Sequence, residues 1–273
     1  MIDLRNYDLG EHRIACPCCA RNPKDRTLGI SVRSIGNAVA HCFRCEYTQS
    51  LKERSQKLYT PTIKPQSKPR QRYTTLSDWG RSLWLECHPM SGIALDYLKN
   101  RKCAIPPSDG DLRWHPNLRH PSGVVGAALV GLVTDFVTGE PLSLHRTWIT
   151  SISKANVEPN RMLLGRHAAQ GGVIRLFPDE CVTTGLGIAE GIETALSLAH
   201  EYTPVWAAVS AGNMASLPAL DGVESLMIAV DQDDAGRSAA QVLAHRWIGD
   251  GREVFVMQVP NGDLNDHIEV FHD

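Results

Sequence analysis

Two Cys-x-x-Cys pairs, Cys16/Cys19 and Cys42/Cys45, constrain this chain more than any other feature. Each pair sets two soft thiolate donors on one tight knuckle, and four such donors are what a closed tetrahedral Zn²⁺ site requires. Between the pairs lie two strand-like runs, Leu28 to Ile35 and Ala38 to Phe43, around the turn signal Gly36-Asn37. The spacing therefore predicts a hairpin that folds back and closes a small ribbon around the metal. Cys18 competes with Cys19 for the second ligand position, although C-x-C spacing places two sulfurs less naturally about one ion, and His41 is a weaker substitute. Five of the eight cysteines fall between residues 16 and 45, which does not resemble a disulfide framework. Cys87, Cys103 and Cys181 read as small buried or incidental thiols, and a reducing cytoplasm is the expected compartment.

Net charge hides an asymmetry. Up to Thr75 there are 14 Lys and Arg against 6 Asp and Glu, and after it 14 against 24. A basic module suited to a polyanion is thus joined to an acidic module whose carboxylates can hold metal ions. Around the knuckles stand Arg21, Lys24, Arg26, Arg33 and Arg44, interleaved with Phe43 and Tyr47, a composition that favours single-stranded nucleic acid. The segment from Ser50 to Thr75 carries seven basic residues, one acid and three prolines, and reads as a flexible basic linker. The longest apolar or glycine run, Gly123 to Val133, has 11 residues, too short to span a bilayer, and the N-terminus lacks a secretory pattern. The expectation is a chain with no membrane association.

Four segments follow: a ribbon at 1–50, the linker at 51–75, an α+β subdomain at 76–180 and an α/β domain at 181–273. In the third, helical patterns cover Leu76 to Cys87 and Gly92 to Asn100, and strand patterns Val124 to Val133 and Leu142 to Thr150. In the fourth, apolar runs at Thr183–Ala189, Pro204–Ser210, Ser225–Val230 and Glu253–Val259 alternate with helical patterns at Ile192–Glu201 and Ala235–Ile248. That alternation predicts a parallel, doubly wound sheet.

Two of those strands end in acids. GIAE190GIETALSLA runs from a strand through Glu-Gly into a helix, and LMIAVD231QD233DAGRSAA does the same through Asp-x-Asp. Ligands of an open parallel sheet gather beyond the carboxyl ends of its strands, so Glu190, Asp231 and Asp233 are expected to face one crevice. Hard carboxylate oxygens suit Mg²⁺ or Mn²⁺. Gly191 and Gly236 permit the tight turns into the helices. The competing account makes Asp233 and Asp234 helix N-caps and Glu190 a solvated turn residue.

These strand ends resemble the Toprim fold shared by bacterial-type primases, topoisomerases and related nucleases. The tail VPNGD263LND266 is similar to the acidic segment that closes that domain in primases, and CPCC…HCFRC resembles the zinc ribbon that precedes it. Together they look like bacterial replicative primases and the primase part of phage primase-helicases. In those relatives the ribbon's second ligand falls at the position of Cys19. The middle segments LHRTWITSISKANVEPNRMLLG and GGVIRL look like the basic subdomain of phage and mobile-element homologues. The resemblance implies that Arg146, Lys154 and Arg161 contact template or nucleotide phosphates, and that Asp263 joins Glu190, Asp231 and Asp233 around Mg²⁺. Whether Glu190 is a ligand or an acid/base stays open at this level.

The resemblance further implies a DNA-directed RNA primer synthase acting on single-stranded DNA with ribonucleoside triphosphates, in the host cytoplasm if phage-encoded. None of the eight lysines follows a glycine, so the sequence has no G-x-x-x-x-G-K-[ST] loop, and a separate replicative helicase is the expected partner. Two rivals remain: a metal-dependent Toprim nuclease, and a nucleic-acid-binding adaptor without catalysis. A topoisomerase would need a tyrosine nucleophile, and after residue 180 the chain has only Tyr202, inside a helical pattern.

Overall fold

The computed structural model describes residues 2–52, 73–230 and 233–258. It separates into two compact units, Met1–Lys68 and Pro69–Asp273. Most of the expected linker, together with Asp231, Asp263 and Asp266, lies outside the described residues.

The first unit is an antiparallel sheet of β1 (Gly10–Ile14), β2 (Leu28–Ser34), β3 (Asn37–Cys42) and β4 (Thr48–Lys52), in sequential order. Period-two alternation sends Leu28, Ile30 and Val32 of β2 and Ala38, Ala40 and Cys42 of β3 inward, where they meet Leu4 and Cys16. The hairpin turn is Ile35-Gly36, one residue earlier than the sequence suggests. Asn37 already pairs with Ser34, and Gly36 supplies the positive φ of 74° that the turn demands. With eight buried apolar residues among those described, the ribbon has too little core to hold itself without a further staple.

The second unit contains two sheets. α1 (Asp78–Leu85) and α2 (Gly92–Asn100) precede an antiparallel sheet of β5 (Leu112–Arg119), β6 (Val125–Asp135), β7 (Pro141–Trp148) and β8 (Arg161–Leu163), with β9 (Gly172–Val173) pairing to β6. β6 is buried along eight consecutive positions, as a strand covered on both faces must be. The sequence shows no alternation at β5, where a bulge between His115 and Leu118 breaks the period.

The chain then alternates β10 (Gly185–Ala189), α3 (Ile192–Leu198), β11 (Val205–Ala207), α4 (Ala211–Ser216), β12 (Ser225–Ala229), α5 (Asp234–Gly249) and β13 (Glu253–Met257). These strands form a parallel sheet in the order β11-β10-β12-β13. α5 buries Gly236, Ala239, Ala240, Leu243 and Trp247, one stripe at helical spacing. β11 is shorter than its apolar run because Val209 turns to φ 68° and Ser210 caps α4 by accepting from the Asn213 N–H.

The two sheets of this unit are one body. Ile174 and Ala207 exchange backbone hydrogen bonds of 2.8 and 2.9 Å, joining the end of the antiparallel half to β11. The adjacent Arg175, only 7% exposed, donates to the Thr134 hydroxyl and to the carbonyls of Asp135 and Phe136. It pairs with Asp179 at 2.6 Å and lies 4.6 Å above the Trp206 ring. A single core cluster runs from Tyr97, Leu98 and Leu129 through Ile174 to Ile192, Leu196, Ala207 and Ala229.

Asp111 approaches this joint, within 3.5 Å of the Thr134 hydroxyl, and burial pushes its carboxyl up to about 6 despite the nearby Arg175 charge. A carboxyl whose folded value lies above its unfolded value adds stability at low pH that is lost as pH rises through about 6. The Asp111→Asn variant is therefore expected to match wild type near pH 3.5 and to exceed it at pH 7 by up to roughly 3 kcal/mol. Urea unfolding across that range measures it, and equal stability at pH 7 refutes the assignment.

Candidate active site and metal cluster

In the first unit, the sulfurs of Cys16, Cys19, Cys42 and Cys45 lie within 4.8 Å of one another. The Cys16–Cys45 and Cys19–Cys42 separations are 3.7 and 3.5 Å. Four thiolates about 2.3 Å from a tetrahedral ion have edges of about 3.8 Å, so the donor set and its spacing fit a structural metal. Each knuckle also turns a backbone N–H onto its first sulfur: Cys18 N to Cys16 Sγ and Arg44 N to Cys42 Sγ, both 3.4 Å. For Cys42, burial works against ionisation, but the N–H groups of Cys45 and Arg44 outweigh it and bring the thiol down to about 6.

Strand and knuckle geometry separates the rival ligands. Cys18 is exposed outside the sulfur cluster, and His41 points outward because its neighbours Ala40 and Cys42 point in. Its ring instead meets the edge of Phe43, over which the Arg13 guanidinium sits at 4.4 Å. Arg44, grouped by sequence with the basic residues of the surface, turns inward. It donates to the Cys19 carbonyl at 3.0 Å and to Asp25 at 2.6 Å, tying the two knuckles together. The Arg44 guanidinium, with the Arg21 N–H, holds the Asp25 carboxyl well below the usual carboxylate range.

In the second unit, the parallel register pairs Ala189 with Ala207 on one side and Ala229 on the other. The residues leaving β11, β10 and β12 therefore emerge side by side, Glu190 from the central of the three. Glu190 lines a recess of about 20 Å³ with His145, Arg161, Ile174, Gly191, Ile192, Glu193 and Val209. That volume admits about one water-sized group. Val209 holds its positive φ at the rim, a conformation that a β-branched residue adopts only under strain.

β7 and β8 supply the basic wall. Thr147 pairs with Arg161 and His145 with Leu163, which sets His145 and Arg161 on the face toward the recess. Arg146 lies on the other face with Leu144 and Trp148. It is 7% exposed, donates to the Leu163 carbonyl at 3.0 Å and rests 5.4 Å from the Trp148 ring centroid. This corrects the expectation that Arg146 meets phosphate: alternation on β7 commits it to the interior. Lys154 reaches the site through Glu193, whose Oε1 it meets at 3.0 Å.

Sequence reading passed over Glu193, Tyr97 and His145. Burial would raise the Glu193 carboxyl, yet the Lys154 charge and the Tyr97 hydroxyl, 2.8 Å away, outweigh it and hold the group at about 2. His145 is driven the other way, down to about 4, because burial disfavours its cation. Only the spacing E190-G-I-E193 could have singled out Glu193, and it reads equally well as an acid favoured in the first turn of a helix. Nothing in a strand pattern marks His145 as facing a recess rather than core, or in a helix stripe marks Tyr97 as the residue whose hydroxyl meets Glu193.

Asp233 is described and exposed, and its carboxylate caps α5 by accepting from the Gly236 N–H at 2.8 Å. The capping account therefore holds for Asp233 without excluding a second role for its other oxygen. Asp231 and Asp263, the remaining expected metal ligands, are outside the described residues. Among the described residues, the four cysteines are the one His/Cys/Asp/Glu group gathered tightly enough to hold a metal by themselves.

Acidic strand ends on one edge of a parallel sheet are the architecture of a Toprim domain, and residues 185–270 match the family model for that domain. Residues 74–176 match the model of a domain of unknown function, DUF7146. The chain thus carries a Toprim α/β domain preceded by an α+β segment and a four-cysteine ribbon. No curated protein matches it. Among solved structures it is similar to the primase fragment of the bacteriophage T7 primase-helicase protein, with 18% identity over 93% of this chain and 92% of that one and a TM-score of 0.42. A DNA primase domain from Pseudomonas aeruginosa is similar at 16% identity over 65% of this chain and 55% of that one, with a TM-score of 0.37. No described helix is long and apolar enough to cross a membrane.

Two outcomes are expected. A ribbon that draws its stability from a metal in this cluster is expected to lose on the order of 10 kcal/mol when the full chain is stripped of metal, and part of that in Cys42→Ser. Amide exchange in β2 and β3 should then rise to unfolded rates while β6 and β12 stay protected; persistent protection of β2 and β3 refutes metal-dependent folding. At the α5 cap, Asp233→Ala is expected to lose about 1 kcal/mol in chemical unfolding and Asp233→Asn less than about 0.5 kcal/mol, since asparagine also caps.

Proposed function

We propose that this chain is a DNA primase, which synthesises short RNA primers on single-stranded DNA by metal-dependent nucleotidyl transfer during DNA replication. The observation that carries the reading is the Toprim match at 185–270 on a parallel sheet in which Glu190 leaves β10 beside β12, the strand that precedes Asp233 at the start of α5. The upstream Cys₄ cluster supports it, since it adds a metal-stabilised ribbon whose exposed Arg13, His41 and Phe43 suit stacked, unpaired bases. The corresponding division is a zinc ribbon at 1–50, a basic linker at 51–75, an α+β subdomain of the polymerase core at 76–180 and a catalytic Toprim domain at 181–273.

Cys16, Cys19, Cys42 and Cys45 hold Zn²⁺ in a closed, structural site. Glu190, Asp231, Asp233 and Asp263 hold Mg²⁺ or Mn²⁺, which when bound neutralises triphosphate charge and lowers the barrier to attack by a 3′-hydroxyl. In the reaction the 3′-oxygen bonds to the α-phosphorus, the α–β phosphoanhydride bond breaks and pyrophosphate leaves. Arg161 and Lys154 stabilise the phosphates from the antiparallel wall. Glu190, at the mouth of the recess, serves either as a ligand or as the acceptor of the hydroxyl proton. Positioning and electrostatic stabilisation suffice for this chemistry, and no covalent nucleophile is required. A replicative helicase is the partner that this reading assigns, with the host cytoplasm as the compartment if the chain is phage-encoded.

The test is de novo incorporation of labelled ribonucleotides on varied single-stranded DNA templates with Mg²⁺ or Mn²⁺. Wild type is expected to yield short RNA, and Asp231→Ala and Asp233→Asn to lose at least about 100-fold of it, a loss of stabilisation near 3 kcal/mol. Because Asp233→Asn keeps the helix cap, its loss reports the carboxylate charge. Metal-dependent strand cleavage without RNA products would make the protein a nuclease. DNA binding that survives Mg²⁺ chelation, with no product of either kind, would make it an adaptor.

A further inference from the structure

Glu193 lines the Glu190 recess with its side chain 13% exposed, and two side-chain donors converge on one of its oxygens. The Tyr97 hydroxyl, from α2, donates to Oε1 at 2.8 Å, and the Lys154 ammonium, from the segment after β7, reaches the same atom at 3.0 Å. The backbone there is pinned as well, since the Ser197 hydroxyl donates to the Glu193 carbonyl at 2.9 Å. Tyr97 is fully buried, whereas the Lys154 side chain is 30% exposed. Three segments distant in sequence thus build a clamp whose most exposed member is Lys154.

We infer that Glu193 is a positioning residue that holds the Lys154 ammonium beside the Glu190 recess, where it receives the phosphates of a nucleoside triphosphate. The inference rests on the primase reading and assigns a substrate to one part of its site. A lysine on a loop samples many rotamers, and one fixed by a buried carboxylate presents its charge in a single place. A carboxylate already bearing an ammonium and a phenol hydroxyl is also a poor further ligand for Mg²⁺, which separates Glu193 from Glu190 three residues before it. The recess is lined by His145, Arg161, Glu190 and Glu193, so the part of a nucleotide that approaches it is a phosphate or a hydroxyl rather than the flat apolar face of a base. Phosphate among carboxylates needs fixed cations, and Arg161 on the recess wall and Lys154 at its edge are those cations.

The test measures equilibrium binding of ATP with Mg²⁺ to the full chain, without template, for wild type, Glu193→Gln, Lys154→Met and the double variant. Each single change is expected to weaken ATP about tenfold, and the double to be no weaker than Lys154→Met alone, the signature of two residues acting as one unit. Tyr97→Phe, which removes a single donor and leaves both charges, should weaken ATP about threefold with Lys154 present and not at all in Lys154→Met. Unchanged melting temperatures accompany these results if the clamp positions rather than folds. Additive losses in the double variant overturn the inference, as does an unaltered ATP affinity in Glu193→Gln. If the same coupling appears for an oligo(dT) strand and ATP binding is untouched, the triphosphate assignment is wrong. Binding does not depend on turnover, so intact coupling without RNA products would remove the primase reading and leave the clamp standing.

Discussion

The backbone exchange between Ile174 and Ala207 is the joint on which the larger unit depends. Without it, an antiparallel sheet and a parallel sheet would be two neighbours on one chain; with it, the end of one becomes continuous with the outer strand of the other. Arg175 secures the joint from the next position, linking the end of β6 to Trp206 through hydrogen bonds, an ion pair and a ring contact. Burying a guanidinium is unfavourable unless its donors are satisfied, and here several are, which makes it a directional fastener rather than a penalty. The recess exists because of this joint: Ile174 lines it, Glu190 comes from the parallel side, and His145 and Arg161 come from the antiparallel side.

How much of this was legible depended on whether the signal was local. Four cysteines in two knuckles announce their own geometry, because the spacing within each pair and the hairpin between them are short-range facts. Strand-to-helix transitions at Glu190 and Asp233 were equally readable, and α2 was placed from Gly92 to Asn100, as the structure has it. Arg146 failed for a different reason. Likeness marked a basic residue in a basic region, but whether a strand residue faces solvent or core is a matter of register, set here by pairing with β8 and by Trp148 beneath it. The Tyr97–Glu193–Lys154 clamp was beyond any local reading, since Glu193 meets partners 96 and 39 residues away whose adjacency only the tertiary fold creates.

Both units solve the problem of too little apolar material at a place where polar groups must gather. In the ribbon, the donors of two knuckles stand where a core would be, and Arg44 with Asp25 cross-links the loops that carry them. At the recess, charged side chains stand among the apolar ones, and Glu193 is held there by the Lys154 ammonium and the Tyr97 hydroxyl. The strained Val209 and the buried His145 sit in the same wall, so the local exceptions to comfortable geometry and solvation cluster where ligand chemistry is expected.

The division of charge explains why the acidic sheet is fused to a partner at all. Carboxylates collected at parallel strand ends attract divalent cations but repel a polyphosphate, and a site made only of them would have to rely on metal for all of its attraction to substrate. Under the proposed function, the antiparallel half answers that by contributing cations from outside the Toprim sheet: Arg161 on β8, and Lys154 from the segment that leads to it. Lys154 is itself fixed by a carboxylate, which the second residue of α3 provides. The shared core running from α2 through β6 to α3 then has a functional reading as well as a structural one, because any hinge between the halves would separate the cations from the carboxylates they balance.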